Sequence, residues 1–196
     1  MAWLLALGSY LLGSIPFGLL LARARGVDIR IRGSGNIGAA NVARSLGRAE
    51  GLLTLLCDAG KGFLPALLAM ALGLSAGWTG TVALLATLGH VYPPWLRFRG
   101  GKGVATGWGA FLAATPWAAL AAAGLFALTF ALSRRVSSAS VLSAAFLPLL
   151  VLAFGEPGPL AWAAGLTALL VVLRHRENLR RLWTGQEPRF DSSGRS

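Results

Sequence analysis

The sequence is poor in charge, and most of its charge is of one sign. Only 13% of its 196 residues are charged, with 7 acidic against 18 basic side chains, whereas a soluble domain carries about twice that charged fraction. A single cysteine, Cys57, excludes an intrachain disulfide framework. No Lys or Arg precedes Arg23, so the first apolar run lacks the charged start of a signal peptide. We interpret that run as a retained first helix.

The basic residues are confined to four clusters with apolar sequence between them. These clusters span residues 23–61, 97–102, 134–135 and 174–195. A net charge of +11 would also suit a nucleic-acid-binding protein. Basic loops between apolar stretches, however, follow the positive-inside rule and favour contact with anionic headgroups. With 55% hydrophobic residues, the chain is predicted to be a membrane protein whose partners are membrane lipids and not nucleic acid.

The apolar stretches predict the number of membrane crossings, since one crossing needs about 17–25 apolar residues. Residues 104–133 are long for one helix and short for two. The basic clusters on either side of this stretch should share one membrane face, so we expect two short legs with a turn near Thr115–Pro116. The predicted crossings are residues 2–22, 50–72, 78–96, the two legs, 141–154 and 159–173.

This count predicts the fold class and the domain organisation. The chain is expected to be an all-α integral membrane protein with seven transmembrane helices, its N-terminus outside and its C-terminus cytoplasmic. Glycine-rich loops on the cytoplasmic side would form the functional site. Residues 1–188 would make a single domain, and residues 189–196 would be a disordered tail.

The segment GSGNIGAANVAR, residues 33–44, contains three glycines within the first basic cluster. Glycine adopts backbone conformations closed to other residues, so several N–H groups can converge on one anion. Ser34, Asn36 and Asn41 add side-chain donors, and Arg44 can hold a phosphate through two parallel hydrogen bonds. The segment lacks the G-K-[ST] of a P-loop and has no preceding strand, which argues against a nucleotide-binding motif. We interpret it as a phosphate-binding segment.

A second glycine-rich segment, LRFRGGKGVATGWG at residues 96–109, surrounds Lys102 at the start of an apolar stretch. Backbone N–H groups at a helix N-terminus, together with a lysine, make an anion site. Arg97 and Arg99 are interpreted as topology markers. Lys102 has glycines on both sides, and a topology marker needs no such conformational freedom. His90, upstream of the segment, suits either a structural role or a supporting role at the site.

A third polar segment, HRENLRRLWTGQE at residues 175–187, follows the last predicted crossing. At helical spacing His175 and Asn178 lie on one face, so an imidazole and a carboxamide are presented together. Further upstream, Ser137 and Ser140 could cap a helix or donate to a ligand, and capping is the commoner use. The His and acidic residues are too few and scattered for a two-His-carboxylate site. The sequence therefore predicts neither a metal nor a cofactor.

Taken together, these segments resemble the signature segments of a known family. SGNIGAANVAR, FRGGKGVAT and HRENLRRLWTGQE closely resemble, in that order, those of the bacterial acyl-phosphate:glycerol-3-phosphate acyltransferases of the PlsY type. GSIPFG, D-x-x-K-G and GHVYP match as well, and only Ser138 in VSSASV departs from the usual leucine. The resemblance covers nearly the whole chain apart from the tail.

The resemblance implies a seven-helix enzyme of the bacterial plasma (inner) membrane with its site facing the cytoplasm. Such an enzyme moves a fatty acyl group from acyl phosphate to the 1-position of sn-glycerol 3-phosphate. Its products are lysophosphatidic acid and inorganic phosphate, and it belongs to phospholipid biosynthesis.

The resemblance and the chemistry of the residues together suggest individual roles. Lys102 could take up negative charge on the leaving phosphate or on the tetrahedral oxyanion, while Arg44, His175 and Asn178 could orient glycerol 3-phosphate. The alcohol proton would pass to His175 or to a phosphate oxygen of the donor. The other residues expected to bind substrate are Ser34, Gly35, Asn36, Gly38, Asn41, Gly100, Gly101, Gly103, Ser137, Ser140, Arg181 and Glu187.

Two other functions compete with this interpretation. An acyltransferase that uses acyl-CoA or acyl-carrier protein would carry H-x-x-x-x-D, and neither histidine of the chain has an aspartate five residues after it. A transporter or channel for a phosphorylated solute would be expected to place ionisable groups deep in the spans. Apart from His90 and from Glu50 at the first residue of its span, only Asp58 and Lys61 lie within a predicted span, near a helix end. Both observations favour the acyltransferase.

Overall fold

The structure, a computed structural model, describes residues 1–190, so most of the predicted disordered tail, residues 191–196, lies outside the described residues. Within residues 1–190 the regular secondary structure is entirely helical, with two short 3-10 turns at Ile29–Ile31 and Pro94–Leu96. The α-helices are α1 (Ala2–Gly13), α2 (Phe17–Ala24), α3 (Ala39–Leu46), α4 (Arg48–Ala71), α5 (Ala76–Val91), α6 (Val104–Ala114), α7 (Pro116–Ser133), α8 (Val136–Ala153), α9 (Gly158–Arg174) and α10 (Arg176–Trp183).

The lengths of the helices bear on the predicted crossings. In the part of the chain that the structure describes, four segments are long and apolar enough to cross a bilayer, namely Ala2–Ala24, α4, α7 and α8. The pair α9 and α10 would make a fifth, bent by 60° between them. Helix α6 has 11 residues, which is about 16 Å at 1.5 Å per residue and is short for a crossing. The all-helical membrane fold is confirmed, and the count of seven crossings stays a prediction.

Several predicted boundaries can be compared with the helices. Helix α6 ends at Ala114 and α7 begins at Pro116, so the predicted turn near Thr115–Pro116 is confirmed. The predicted first span contains a break, because Pro16 has no backbone N–H and separates α1 from α2. Helix α8 begins at Val136 and not at residue 141. Ser137 and Ser140 therefore lie inside its first turns and do not cap it. The alternative, that they donate to a ligand, stays a prediction.

Glycines allow α4 and α6 to pack backbone against backbone. A Cβ atom on Gly62 of α4 would overlap the carbonyl oxygen of Thr106, and one on Gly109 of α6 would overlap the carbonyl oxygen of Ala59. Lipid tails are as apolar as leucine, so small residues that permit such close approach are what associates helices in a bilayer. This contact fixes the position of the start of α6, and Lys102 lies two residues before that start.

The buried ion pair of α4 has a structural role at the break between α1 and α2. Lys61 Nζ lies 2.7 Å from Asp58 Oδ1 and donates to the carbonyl oxygen of Ile15 at 2.8 Å. Both side chains are almost fully buried, at 1% and 2% exposure. His90 Nδ1 lies 3.6 Å from the same carboxylate oxygen, which is too long for a hydrogen bond. Lys61 thus satisfies a carbonyl group that the break leaves without a helical partner.

Candidate active site

A cavity of about 390 Å³ opens where the three polar segments meet. It is bounded by α3, the start of α6, the first turns of α8, and the end of α9 with α10. Most of the predicted site residues line it: Ser34, Asn36, Gly38, Asn41, Arg44, Lys102, Gly103, Ser137, Ser140, His175, Asn178, Arg181 and Glu187. Gly35, Gly100 and Gly101 are predicted site residues that do not line it. Segments far apart in the chain therefore form one site.

Lys102 and Asn178 join the second and third segments. Lys102 Nζ donates to Asn178 Oδ1 at 2.5 Å, and Asn178 Nδ2 in turn donates to Glu187 Oε1 at 2.7 Å. Burial lowers the pKa of Lys102 to about 8; Glu187 and Glu177 oppose this shift, while Arg181 and Arg44 add to it. At neutral pH the ammonium group of Lys102 is therefore still charged. Its orientation is set by the carboxamide of Asn178, which Glu187 holds in place.

Glu187 organises the rest of this network. Its Oε1 also accepts from Ser137 Oγ at 2.7 Å, and its Oε2 accepts from Arg181 Nε at 2.7 Å. The side chain is 5% exposed. Burial alone would raise the pKa of Glu187, but the hydrogen bonds from Ser137, Asn178 and Arg181 outweigh it, and the pKa lies below its usual value. A charged carboxylate thus aligns donors from α8 and α10.

Asn41 holds the first glycine-rich segment in shape. Its Oδ1 accepts from the backbone N–H of Ser34 at 2.9 Å, and its Nδ2 lies within 2.8–3.2 Å of the carbonyl oxygens of Ile29, Arg32 and Asn36. The side chain is almost fully buried. The hydrogen-bonding capacity of Asn41 is used within the segment, so its role here is positioning, and a direct contact with substrate stays a prediction.

Two glycines of this segment use the left-handed region, as predicted. Gly33 has φ +55° and Gly35 has φ +68°, whereas Gly38 has an ordinary negative φ. The N–H groups of Ser34, Gly35 and Gly38 donate to Asn41, Arg32 and Asn36 within the segment. These three amides therefore do not converge on an anion. The glycines instead allow the fold that places the start of α3 at the cavity.

The cavity is bordered by the N-termini of two helices. Ala39 and Ala40 begin α3, and Val104 and Ala105 begin α6; all four line the cavity. Within residues 1–190, no side chain caps either helix start. The first N–H groups of a helix lack partners inside it and carry partial positive charge. Together with Lys102 they provide donors for anionic groups.

Gly100 and Gly101 have a role different from the predicted one. Their N–H groups donate to the carbonyl oxygens of Val91 and His90 at 3.0 and 3.1 Å, so they are not available to an anion. A Cβ atom on Gly101 would overlap His90 Nε2. His90 thus supports the second segment from behind, in addition to lining the cavity. The free amides of this region belong to Gly103 and the start of α6.

His175 lines the cavity, and its ring has a defined tautomer. Its Nδ1 lies 2.8 Å from the carbonyl oxygen of Val171, which can only accept, so Nδ1 carries the proton. Nε2 of the neutral ring is left with a lone pair. The side chain is 3% exposed. Burial, together with the nearby charge of Lys102, lowers the pKa of His175 to about 4, so the neutral ring can accept a hydrogen bond from a ligand hydroxyl group but is a weak base.

Arg44 is covered by the beginning of the predicted tail. Burial lowers the pKa of Arg44, and Glu187 partly offsets that shift. The ring of Phe190 lies 5.2 Å from Arg44 Cζ and 5.9 Å from the ring of Phe130. The N–H of Phe190 donates to the carbonyl oxygen of Arg134 at 2.6 Å. Phe190 is therefore packed against the helices, and the domain end at residue 188 stays a prediction.

The rest of the cavity lining is mostly apolar, with Asp58, His90, Ser143 and Thr167 as its polar members, a feature that the sequence analysis missed. Helical residues of this kind look the same in sequence whether they face lipid, a neighbouring helix or a cavity. A cavity that combines cationic donors with a mostly apolar lining suits a ligand with an anionic group and a hydrocarbon chain. The apolar lining is formed by Leu55, Val104, Trp108, Ala122, Ala123, Phe126, Ala144, Leu147, Ala168 and Val171.

Comparisons with known proteins agree with one another. A family profile described as "Glycerol-3-phosphate acyltransferase" matches residues 3–185. The curated "Glycerol-3-phosphate acyltransferase" of Geotalea daltonii is 52% identical over 186 residues, which are 95% of this chain and 96% of that protein. Two crystal structures of PlsY (YgiH), an integral membrane glycerol 3-phosphate acyltransferase, are also similar. Its glycerol 3-phosphate form has a TM-score of 0.94 and its lysophosphatidic acid form 0.91, each at 41% identity over 97% of this chain and 96% of that one.

Proposed function

The chain belongs to the glycerol-3-phosphate acyltransferase family, and we propose that it transfers a fatty acyl group from acyl phosphate to the 1-position of sn-glycerol 3-phosphate. The products are lysophosphatidic acid and inorganic phosphate. The observation that carries this proposal is a single cavity whose lining combines the cationic side chains of Lys102 and Arg44 with mostly apolar residues. An acyl phosphate likewise combines a phosphate with a hydrocarbon chain.

The reaction needs positioning and charge stabilisation more than a nucleophilic side chain. Acyl phosphate is a mixed anhydride with a good leaving group. The 1-hydroxyl oxygen attacks the acyl carbon, the bond from that carbon to the phosphate oxygen breaks, and phosphate leaves. Lys102 and the N–H groups at the start of α6 stabilise the charge on the oxyanion and on the departing phosphate. No covalent intermediate with the enzyme is required.

The remaining polar residues orient the acceptor. Arg44 and the start of α3 hold the phosphate of glycerol 3-phosphate, and Asn178 aligns Lys102 through the 2.5 Å hydrogen bond. The proton of the attacking hydroxyl can pass to His175 Nε2, which the bond from Nδ1 to Val171 leaves free, or to an oxygen of the leaving phosphate. These assignments involve no metal and no cofactor.

We place the enzyme in the bacterial plasma (inner) membrane with its site at the cytoplasmic face, the N-terminus outside and the C-terminus inside. The basic clusters support this orientation, since cytoplasmic loops carry an excess of Lys and Arg. The cavity lies among those clusters, which lets a soluble acceptor reach it from the cytoplasm while the acyl chain lies among the apolar helices.

A direct assay separates this function from the alternative, a transporter or channel for a phosphorylated solute. Purified protein in detergent is expected to convert acyl phosphate and labelled glycerol 3-phosphate into lysophosphatidic acid and inorganic phosphate in equal amounts. Proteoliposomes are expected to show no uptake of the label into their lumen. Uptake without product formation would support the transporter and contradict the acyltransferase.

The charge state of Lys102 predicts the pH dependence of the reaction. The charged ammonium is the active form, and its pKa is about 8 in the free protein. The value of kcat/KM for glycerol 3-phosphate should therefore be level below pH 8 and fall about tenfold per pH unit above it. Bound phosphate groups favour the charged form, so the decline in kcat should lie at higher pH. A kcat/KM that stays level to pH 9.5 would contradict the role of Lys102.

A further inference from the structure

We propose that Arg174 is a positioning residue for the reaction: it holds the Gly100–Gly101 backbone and thereby keeps Lys102 against Asn178. The sequence analysis had assigned Arg174 only to a basic cluster that marks the cytoplasmic side. The inference rests on the proposed function in one respect, namely that Lys102 stabilises charge during acyl transfer.

The guanidinium of Arg174 donates to two successive carbonyl groups. Its Nη2 lies 3.1 Å from the carbonyl oxygen of Gly100, and its Nε lies 3.3 Å from that of Gly101. Arginine presents several N–H groups in a rigid planar fork, so one side chain fixes both carbonyls at once. A residue that only marked the membrane face would direct its charge to water or to headgroups.

The same two glycines are held from the opposite side by the end of α5. The N–H of Gly100 donates to Val91 and that of Gly101 to His90. A Cβ atom on Gly100 would overlap the carbonyl oxygen of His90, so the backbone at Gly100 is in direct contact with the backbone at the end of α5. Arg174 thus completes the hydrogen bonding of a short segment that α5 holds on its other edge.

The orientation of Arg174 is itself supported. Its Cζ lies 5.9 Å from the centre of the Tyr92 ring, a distance compatible with a cation–π contact. The carbonyl oxygen of Tyr92 accepts from the hydroxyl of Tyr10 at 2.7 Å, which links this loop to α1. The guanidinium is therefore placed between the Tyr92 ring and the glycine backbone.

The position of Arg174 in the chain explains its effect on Lys102. Arg174 directly precedes His175 and lies four residues before Asn178, while Gly101 directly precedes Lys102. The two hydrogen bonds from Arg174 to Gly100 and Gly101, here called the Arg174 clamp, therefore join the backbone before Lys102 to the helix end that carries His175. Without the Arg174 clamp, the backbone before Lys102 would no longer be fixed, and the flexible side chains of Lys102 and Asn178 alone would maintain their hydrogen bond. Misplacement of a catalytic group by about 1 Å can cost about a hundredfold in rate.

Arg174→Ala tests the inference. Arg176→Ala is its matched control, because Arg176 is exposed and its replacement removes the same charge from the same region. We expect kcat of Arg174→Ala to fall about 10- to 100-fold with a much smaller change in KM, and Arg176→Ala to behave as wild type. Methylguanidine in the assay should restore part of the lost rate. Arg174→Lys should be intermediate, since lysine offers one donor group where arginine offers a fork.

Hydrogen exchange gives a readout that needs no substrate. Peptides that contain Gly100 and Gly101 should exchange faster in Arg174→Ala than in Arg176→Ala, while exchange in α4 and α8 stays unchanged. Turnover of Arg174→Ala equal to that of Arg176→Ala, or faster exchange throughout the protein, would overturn the inference. If exchange in Arg174→Ala were faster only in these peptides but the wild-type protein were inactive, the proposed function would be contradicted. The structural role of Arg174 would still be supported.

Discussion

Replacing Lys102 with alanine is expected to lower turnover by roughly a hundredfold or more while the protein stays folded. Among the residues that the structure describes, the side chain of Lys102 donates its hydrogen bond to Asn178, at the cavity wall. It therefore contributes to the site more than to helix packing. Loss of a donor that stabilises a leaving group or an oxyanion typically raises the barrier by about 2.7–4 kcal/mol. Steady-state kinetics in detergent and a thermal unfolding curve measure the two parts of this prediction.

Arg99→Ala is the matched control, because Arg99 lies three residues earlier on the same loop and is exposed. It should keep near-normal turnover. Lys102→Met, which retains the length of the side chain without its charge, should be as inactive as Lys102→Ala. The role assigned to Lys102 would be wrong if Lys102→Ala turned over normally, or if it and Lys102→Met lost activity only because neither folds.

Replacing Glu187 with glutamine is expected to reduce both activity and stability. The carboxylate accepts hydrogen bonds from Ser137, Asn178 and Arg181, and glutamine would place an N–H₂ group where one of these donors points. Hydrogen bonds to a charged group contribute about 1.5–3 kcal/mol each. Release of Asn178 also frees Lys102, so kcat/KM should fall by about a hundredfold.

Glu177→Gln serves as the control, since Glu177 is exposed on α10 and makes the same change of charge. Its melting temperature and kinetics should match those of wild type. For Glu187 the native-state pKa is lowered, so its contribution to stability is present above its unfolded pKa and is lost as the pH falls through the native value. A wild-type protein whose acid unfolding is the same as that of Glu187→Gln would contradict the network.

The helical membrane fold could be predicted because its signals are local. Apolar runs identify helices, and basic clusters indicate which loops share a face. Pro116 marked the turn between α6 and α7 because proline favours the first position of a helix. The predicted crossing began at residue 141 with the apolar run, whereas α8 begins at Val136, and the serines before the run suited either a helix cap or a ligand donor. Ser137 instead bonds to Glu187, fifty residues further along the chain, and no local pattern contains that contact.

The polar part of the site could also be predicted, whereas the division of labour within it could not. Lys102, Arg44, His175 and Asn178 lie around one cavity, as expected from their segments. Both glycine-rich segments were expected to supply amides, but hydrogen bonds to Val91 and His90 occupy those of Gly100 and Gly101. Which amides stay free depends on how distant segments pair. The apolar lining and Arg174 depend on the same tertiary contacts.

The donor assay tests the central claim most directly. Purified protein is given labelled glycerol 3-phosphate with acyl phosphate in one reaction and acyl-CoA of the same chain in a parallel one, with Lys102→Ala as the blank. The cavity around Lys102 predicts rapid formation of lysophosphatidic acid from acyl phosphate and formation at the level of the blank from acyl-CoA. Robust product from acyl-CoA, with none from acyl phosphate, would contradict it.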